Sequence, residues 1–317
     1  MMLNTSRRLS QILLLLSALL AVLSVVVLAP EAATKQAQRT FASPEDAAKG
    51  LIAALKNSDA GELSSIFGPG SQAVVASGDP VADQRNRERF VALYDEKNGL
   101  QDAGAGRKVL VVGPEDYPFP IPIVGTDGSW RFDLKAGREE LLNRRIGRNE
   151  LEAIEVLYAY VDAQRDYATE DRGGQRILQF AQKIRSTPGK KDGLYWEARE
   201  GEPESPFGPL AAKADREGYK KLKTGGTPFH GYFFRILKAQ GKHAPGGAFD
   251  YVVNGKMVLG FAMVAYPAQY GSTGVMTFIV NQDGAVYQKN LGKNTSKAAQ
   301  AMKLYDPDPT WKKVQAE

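Results

Sequence analysis

Few residues of this chain could do acid-base or metal chemistry. His230 and His243 are its only histidines, and it contains no cysteine. The absence of cysteine excludes disulfides, thiolate nucleophiles, iron–sulfur clusters, Cys-ligated zinc and lipid attachment to cysteine. His230 precedes Gly231, and His243 lies in a run rich in glycine. Both are predicted to be turn or surface residues, and neither has a partner four residues away that would complete a metal site on a helix.

Carboxylates are the other candidates for chemistry. Among 36 Asp and Glu residues, close pairs arise by chance and do not indicate a glycosidase by themselves. Asp306 and Asp308 could offer oxygens to calcium, but a proline follows each and no further ligands complete the site. A hydrolase would draw its carboxylates from one irregular stretch that contains Glu197, Glu200, Glu202 and Glu204.

Nucleotide and acyl-transfer motifs are also missing. The sequence contains no Walker A motif and no Gly-x-Ser-x-Gly motif. We therefore predict no catalytic residue, no cofactor-binding residue, no cofactor and no metal site. This pattern favours a protein that is not an enzyme, because no nucleophile, base and orienting group can be assembled from it.

The charge of the chain points away from nucleic acid. The net charge is +5, and residues 1–40 account for +3 of it, which leaves +2 for the rest. Basic residues alternate with acidic ones, as in 83–89, instead of forming a stripe. Two short basic clusters remain, at 144–148 and 220–223. Charged runs of this kind are predicted to be solvated faces, and no nucleic-acid partner is expected.

The N-terminus has the pattern of a membrane-targeting segment. Arg7 and Arg8 precede an apolar run over 12–29. This run is longer than the apolar part of most signal peptides and short for a transmembrane helix. Residues 1–33 are thus either a cleaved signal peptide, which leaves a periplasmic or secreted protein, or a retained anchor in the inner membrane. Membrane contact is expected only through residues 9–29 in the anchored form, and the body lies outside the cytoplasm in both cases.

The first elements that could position a site follow a linker over 34–40. Ser43 before Pro44 predicts a helix start, and Asp59 or Ser58 can cap a second helix. A third helix is predicted around 90–94. Strands are predicted at 108–112, 117–124 and 130–134. Residues 41–142 are therefore predicted to be helices plus a short curved antiparallel sheet.

Residues 143–317 are predicted to form a second unit. Asn149 can cap a long helix that ends near residue 168, and a shorter helix is predicted over 177–184. A long irregular loop follows at 190–228. An antiparallel meander then needs the long helix as its cover, and a short helix is predicted over 296–302. The predicted strands of the meander are 231–237, 249–253, 256–265, 275–280 and 285–288. The fold class is α+β, with two modules after the N-terminal targeting helix.

Several long strings resemble a known family. They are Arg144 to Glu150, Ala163 to Ala168, Pro228 to Arg235, Tyr251 to Met257, Ala265 to Ala268 and Gly274 to Val280. Together they resemble the bacterial exported family called domain of unknown function 2950, over nearly all of the chain after the targeting segment. That family name implies export and no particular activity.

Two weaker resemblances concern the modules. The helical start at Ser43 to Ala48 and the extended segment that ends in Gly128 to Asp133 are similar to nuclear transport factor 2-like modules, in which helices pack into the concavity of a curved sheet. The order of Asn149-Glu150, Gly231 to Phe234 and Ala265 to Pro267 resembles the globular head of type IV pilin-like proteins. The second resemblance implies a long helix packed on an antiparallel meander, without assembly into a pilus.

The function predicted from these observations is that of an exported cell-envelope protein, a non-enzymatic binding or structural module with an envelope partner that the sequence does not identify. Two alternatives remain open. The first module could hold a small molecule or a peptidoglycan fragment in a cavity, or the protein could be a hydrolase that uses carboxylates of the 190–228 loop.

Overall fold

The computed structural model describes residues 37–315 except 105, 173, 175 and 220–226. The predicted targeting segment 1–33 and the basic cluster at 220–223 lie outside the described residues. Within the described ranges, no helix is both long and apolar enough to cross a bilayer. These residues form a mixed α+β fold with antiparallel sheets, which confirms the predicted class.

Four helices open the described chain: α1 Pro44–Lys56, α2 Ala60–Phe67, α3 Gln72–Val75 and α4 Pro80–Glu96. Side-chain caps explain where α1 and α2 begin. Ser43 Oγ accepts from the backbone N of Asp46 at 3.0 Å, and Asp59 Oδ1 accepts from the backbone N of Glu62 at 2.8 Å. Each cap satisfies a backbone N–H that the first helical turn leaves without a partner. Both predicted helix starts are confirmed.

The first sheet packs against these helices. Its strands are β1 Asn98–Asp102, β2 Arg107–Val112, β3 Tyr117–Pro118, β4 Ile123–Thr126 and β5 Ser129–Phe132. The antiparallel order is β1-β2-β4-β5, with β3 on β2. β1 was not predicted, because its polar sequence carries no strand signal, and it forms by pairing along its length with β2. The core between helices and sheet contains Leu51, Ile66, Val112, Ile121 and Phe132.

A single helix, α5 Leu134–Tyr167, links the two halves of the molecule. The Asp133 carboxylate accepts from the backbone N of Ala136 at 3.3 Å and caps it. The prediction that this helix begins at Asn149 is wrong, and the predicted boundary after residue 142 falls inside the helix. Asn149 is instead buried, where its side-chain amide donates to the backbone O of Thr273 at 2.9 Å.

The segment after α5 departs from the predictions. No helix forms over 177–184. The Gln164 amide binds both backbone groups of Ala181, at 2.8 Å each, and the backbone N of Phe180 donates to the O of Met257. These hydrogen bonds occupy backbone groups that a helix would need for its own i to i+4 bonds, so the segment is extended instead of helical. A helix, α6 Gly208–Arg216, lies inside the predicted loop 190–228.

The second sheet is an antiparallel meander, but the predicted strand 249–253 lies outside it, because the residues of that strand divide between two smaller sheets. The order of the meander is β15-β13-β12-β11-β6, and neighbours pair antiparallel. The strands are β6 Tyr232–Leu237, β11 Ala262–Pro267, β12 Met276–Asn281, β13 Tyr287–Asn290 and β15 Lys312–Lys313. Helix α5 packs on β11 and β12, and its Leu157, Tyr160 and Val161 lie in one core with Val264 and Ile279.

Between β6 and β11 the chain forms four short strands, β7 Ala239–Gln240, β8 Phe249–Asp250, β9 Val252–Val253 and β10 Lys256–Met257. The elements α7 Thr295–Ala301 and β14 Leu304–Tyr305 lie between β13 and β15. The predicted turn at Asn254-Gly255 joins β9 and β10. The prediction of one strand over 256–265 is wrong, because the backbone N atoms of Val258 and Leu259 both donate to the backbone O of Tyr251, and this turn separates β10 from β11.

Candidate functional site: a cavity with an arginine-lined mouth

A cavity of about 350 Å³ lies in the first half of the molecule, between α1, α2, α4, the beginning of α5 and the segment 117–120. Small-molecule sites typically enclose about 300–1,000 Å³. At roughly 30 Å³ for a group the size of a water molecule, this volume holds about a dozen methylene-sized groups. Most of the lining is apolar: Leu51, Leu55, Leu63, Phe67, Val74, Val75, Phe90, Leu93, Phe119, Pro120 and Leu141.

Two helix faces give the cavity its polar part. The lining residues of α4 are Asp83, Asn86, Arg87, Arg89, Phe90 and Leu93, and those of α5 are Leu141, Arg144, Arg145 and Arg148. Spacings of three and four residues place most of each set on one side of its helix. Each set combines apolar side chains with arginines, so these two helices supply both an apolar wall and a cationic rim.

Charge on this rim is strongly unbalanced. Five arginines line the cavity, whereas Asp83 is the one carboxylate among the lining residues. Arg89, Arg144 and Arg148 are exposed, while Leu51 and Leu63 are buried. The arginines therefore surround the solvent end of the cavity, here called the mouth, and the apolar side chains form its interior.

Two of the five arginines, Arg144 and Arg145, each donate at least two hydrogen bonds to the protein. Arg145 Nη1 and Nη2 donate to the backbone O atoms of Ala73 and Val74 at 2.5 and 3.0 Å. Arg144 Nε donates to Glu140 Oε1 at 2.6 Å, and its Nη1 donates to the Tyr117 hydroxyl at 2.6 Å. These contacts fix α5 against α3 and β3.

The pKa values of these two arginines move in opposite directions. Burial lowers the pKa of Arg145, although Asp83 opposes that change. Burial also acts against the charge of Arg144, but the hydrogen bonds and electrostatic effects of Glu140 and Tyr117 together outweigh it and raise the pKa. Both guanidinium groups remain charged at neutral pH, because the pKa of arginine begins above 12.

The other three arginines are poorly satisfied. Arg87 Nη2 donates to Gln84 Oε1 at 3.2 Å, but its Nε is buried without a hydrogen-bond partner. Among the described residues, neither Arg89 nor Arg148 makes an ion pair or a hydrogen bond. Loss of hydration lowers the pKa of Arg148, and the nearby positive charges of Arg89 and Arg85 lower it further. The mouth thus holds three arginines that form no ion pair with a carboxylate of the described residues, although Glu152 favours the charge of Arg148 electrostatically.

The prediction that the basic cluster 144–148 is a solvated face holds for Arg144 and Arg148, which are exposed. Arg145 is partly buried, and all three line the cavity together with Arg87 and Arg89 of the mixed run 83–89. A usable signal was present, because each run places arginines at helical spacing beside an apolar residue, Phe90 in α4 and Leu141 in α5. The sequence could not show that these two faces meet, because α5 was expected to begin after them.

The glutamates proposed for a hydrolase do not belong to this cavity. Glu197, Glu200, Glu202 and Glu204 are all exposed, and none lines it. Glu202 lies 3.8 Å from Lys191 in a surface ion pair. This arrangement gives no support to a carboxylate-based hydrolase.

The histidines occupy turns, as predicted, but in different surroundings. His243 is exposed, and both Asp306 oxygens lie 3.1 Å from its Nδ1. His230 is buried, with its Nε2 2.9 Å from Glu217 Oε2 and 3.6 Å from Glu152 Oε2. In the parts of the chain that the structure describes, no group of three or more His, Asp or Glu side chains could hold a metal ion.

Asp79 ties the cavity to the second half of the molecule. Its Oδ1 accepts from the backbone N of Ala82 at 3.0 Å and caps α4. Its Oδ2 accepts from the Tyr219 hydroxyl at 2.9 Å and from the backbone N of Gly231 at 2.8 Å. Burial and the adjacent Asp79 raise the pKa of Tyr219, so its hydroxyl stays protonated and donates. One buried carboxylate thus fixes a wall of the cavity to the turn before β6.

Comparison with known proteins places the chain in a family. No curated protein and no solved structure matches the sequence. The model of a family described as Protein of unknown function (DUF2950) matches residues 38–314, which include the whole cavity and the second sheet. The chain therefore belongs to the DUF2950 family.

Proposed function

We propose that this protein is a non-enzymatic binding module that holds an amphipathic anion, with the apolar part in the cavity and the charged group at the arginine mouth. The observation that carries the proposal is the combination of an apolar interior with Arg89 and Arg148, which make no hydrogen bond or ion pair within the described residues. Burial of a hydrocarbon in an apolar interior is favourable by about 0.8 kcal/mol per methylene. Uncompensated guanidinium groups favour an anion, because charge-assisted hydrogen bonds are among the strongest in proteins.

The proposed site of action is outside the cytoplasm, either free in the periplasm or attached to the inner membrane through residues 9–29. This part rests on the apolar N-terminal run and its preceding arginines. The mass of the protein recovered from soluble and membrane fractions tests it. An intact protein found only in the cytoplasm would contradict export.

For the finer architecture, we propose that residues 41–133 form a nuclear transport factor 2-like unit and that the rest has the arrangement of a pilin-like head. The cavity beneath α1, α2 and α4 supports the first assignment, and the packing of α5 on the meander supports the second. An experimental structure compared with both folds would test these assignments.

Calorimetric titration with saturated carboxylates of increasing length tests the binding function. The protein purified from cells that express the whole chain is titrated with C8, C10, C12, C14 and C16 carboxylates below their micellar concentrations. We expect affinity to rise about fourfold per methylene, the equivalent of about 0.8 kcal/mol, and to level off near C12 as the cavity fills.

A cavity-filling variant provides the control. Leu55→Trp places a larger side chain on the lining, whereas Leu304→Trp makes the same change at an exposed position of β14. We expect Leu55→Trp to weaken C12 binding by at least about tenfold and Leu304→Trp to leave it unchanged. No binding by the unaltered protein, or equal binding by the two variants, would refute the proposed function.

A further inference from the structure

The five arginines at the mouth divide into two groups by their hydrogen bonds. Arg144 and Arg145 direct donors to Glu140, the Tyr117 hydroxyl and backbone oxygens of the protein itself. The remaining three arginines have unused donors. Arg87 has a buried Nε without a hydrogen-bond partner, and Arg89 and Arg148 make no hydrogen bond or ion pair within the described residues. The second group is therefore available to a ligand.

The charges of the mouth divide in the same way. Glu140 compensates Arg144 through their ion pair, and Asp83 acts electrostatically on Arg145. Arg85, beside the mouth, pairs with Glu217 at 3.2 Å. Within the described residues Arg87, Arg89 and Arg148 form no ion pair. Glu152 favours the charge of Arg148 electrostatically, but it lies outside the cavity lining and its Oε2 is 3.0 Å from Lys213 Nζ. A ligand with one negative charge would leave most of the positive charge of these three arginines without a counter-charge.

We infer that the charged group of the ligand is a phosphate monoester, bound by Arg87, Arg89 and Arg148. This inference rests on the proposed function and adds its ligand class: a hydrocarbon chain that carries a terminal phosphate. A phosphate monoester has close to two negative charges at neutral pH and three terminal oxygens. Guanidinium groups match it because their fixed fork of donors binds phosphate oxygens in pairs, whereas a carboxylate offers only two oxygens.

The test compares ligands that share one chain and differ in the head group. Dodecyl phosphate, dodecyl methyl phosphate, dodecanoate and inorganic phosphate are titrated into the protein below the micellar concentrations. The methyl ester keeps the phosphorus but has one charge fewer. We expect dodecyl phosphate to bind at least about tenfold more tightly than dodecanoate or the methyl ester, the scale of one charge-assisted hydrogen bond. Inorganic phosphate should bind more weakly still, because it gains nothing from the cavity.

Variants inside and outside the mouth supply the matched control. Arg89→Gln and Arg148→Gln each remove one positive charge from the mouth, whereas Arg138→Gln removes one from an exposed position of α5 outside the cavity lining. The first two should abolish most of the preference for dodecyl phosphate over dodecanoate, and Arg138→Gln should retain it. Arg87→Lys keeps the charge but removes the Nε donor, and should also reduce the preference. Thermal unfolding of each variant establishes that it is folded, and Arg89 is exposed on α4, so its substitution is expected to leave the fold intact.

The outcomes separate this inference from the proposed function. If dodecanoate binds as tightly as dodecyl phosphate, the inference is overturned and the proposed function stands. If Arg138→Gln loses the preference as completely as Arg148→Gln, the assignment of the phosphate to the mouth is wrong. If inorganic phosphate binds as tightly as dodecyl phosphate, the hydrocarbon of the ligand contributes nothing, and the role given to the apolar cavity is wrong. If no amphiphile binds, the proposed function fails together with the inference.

Discussion

At the scale of single residues, buried polar groups decide how this molecule is held together. Asp79 satisfies two donors from the second half of the molecule while it caps α4 in the first. His230 lies between carboxylates of α5 and of the turn after α6. The contacts between the two halves have no local sequence signal, since Tyr219 and Gly231 lie 140 and 152 positions from Asp79. Glu152 lies 78 positions from His230.

Asp79→Ala should be strongly destabilising. It removes the cap of α4 and leaves the Tyr219 hydroxyl and the Gly231 N–H without partners, so we expect a loss of about 3 kcal/mol or more in the free energy of unfolding. The control is Asp59→Ala, an exposed cap with one hydrogen bond, for which about 1 kcal/mol is expected. Urea unfolding measures both, and equal effects would contradict the role given to Asp79.

The stability of the protein should decrease on acidification because of His230. Burial lowers its pKa, Glu152 and Glu217 oppose this, and Lys213 and Arg85 reinforce it. The unfolded chain therefore binds a proton more readily than the folded one. The stability that neutral His230 contributes is fully present above the pKa of about 6.5 that histidine has in the unfolded chain. It is lost as the pH falls through the lower pKa of His230 in the folded protein.

A pair of histidine variants tests this linkage. His230→Asn keeps a residue that tolerates the left-handed conformation found at this position, with φ of 49°. His243→Asn makes the same change at an exposed turn. Urea unfolding between pH 7.5 and 5 should show a shallower pH dependence for His230→Asn than for the unaltered protein and His243→Asn. The same slope in all three would show that His230 does not contribute.

At the scale of elements, α5 determines the architecture. Its first half contributes Leu141 and four-residue-spaced arginines to the cavity, and its second half covers the meander. With about 1.5 Å of rise per residue, a helix of 34 residues is roughly 50 Å long, enough to reach both cores.

Two glycines of α5 should respond oppositely to alanine. A Cβ at Gly137 would lie 2.2 Å from the backbone O of Pro120, whereas a Cβ at Gly147 meets nothing within 4 Å. We expect Gly137→Ala to destabilise the protein by about 2 kcal/mol through overpacking against the cavity segment. Gly147→Ala should stabilise it by about 0.5–1 kcal/mol, since alanine is the better helix former. Thermal melts compare them, and a stabilising Gly137→Ala would contradict the close packing.

At the scale of the whole molecule, two cores share one helix and one small third cluster. That cluster contains Val156 of α5, Ala214 of α6, Tyr219 and Phe229, with Val81 of α4 packed against it. Because α5 and this cluster bind both cores, neither half should lose its structure without exposing apolar surface of the other.

Calorimetry should therefore show a single unfolding transition for the two halves. The calorimetric and van't Hoff enthalpies are expected to agree, which is the signature of cooperative unfolding. Weakening the joint through Asp79→Ala should broaden or split the transition. Two well-separated transitions in the unaltered protein would mean that the halves are independent domains.

The sequence by itself determined the elements whose signals are local. Ser43 and Asp59 as caps, Asn254-Gly255 as a turn, the alternating strands of the meander and the need for a covering helix all follow from residues within a few positions of one another. Tertiary structure decided the rest: β1 forms only by pairing with β2, Ala181 is held extended by Gln164, and α5 runs through a predicted boundary. The cavity belongs to this second group, because the arginines of α4 and α5 are ordinary surface charges until the two helix faces meet over an apolar interior.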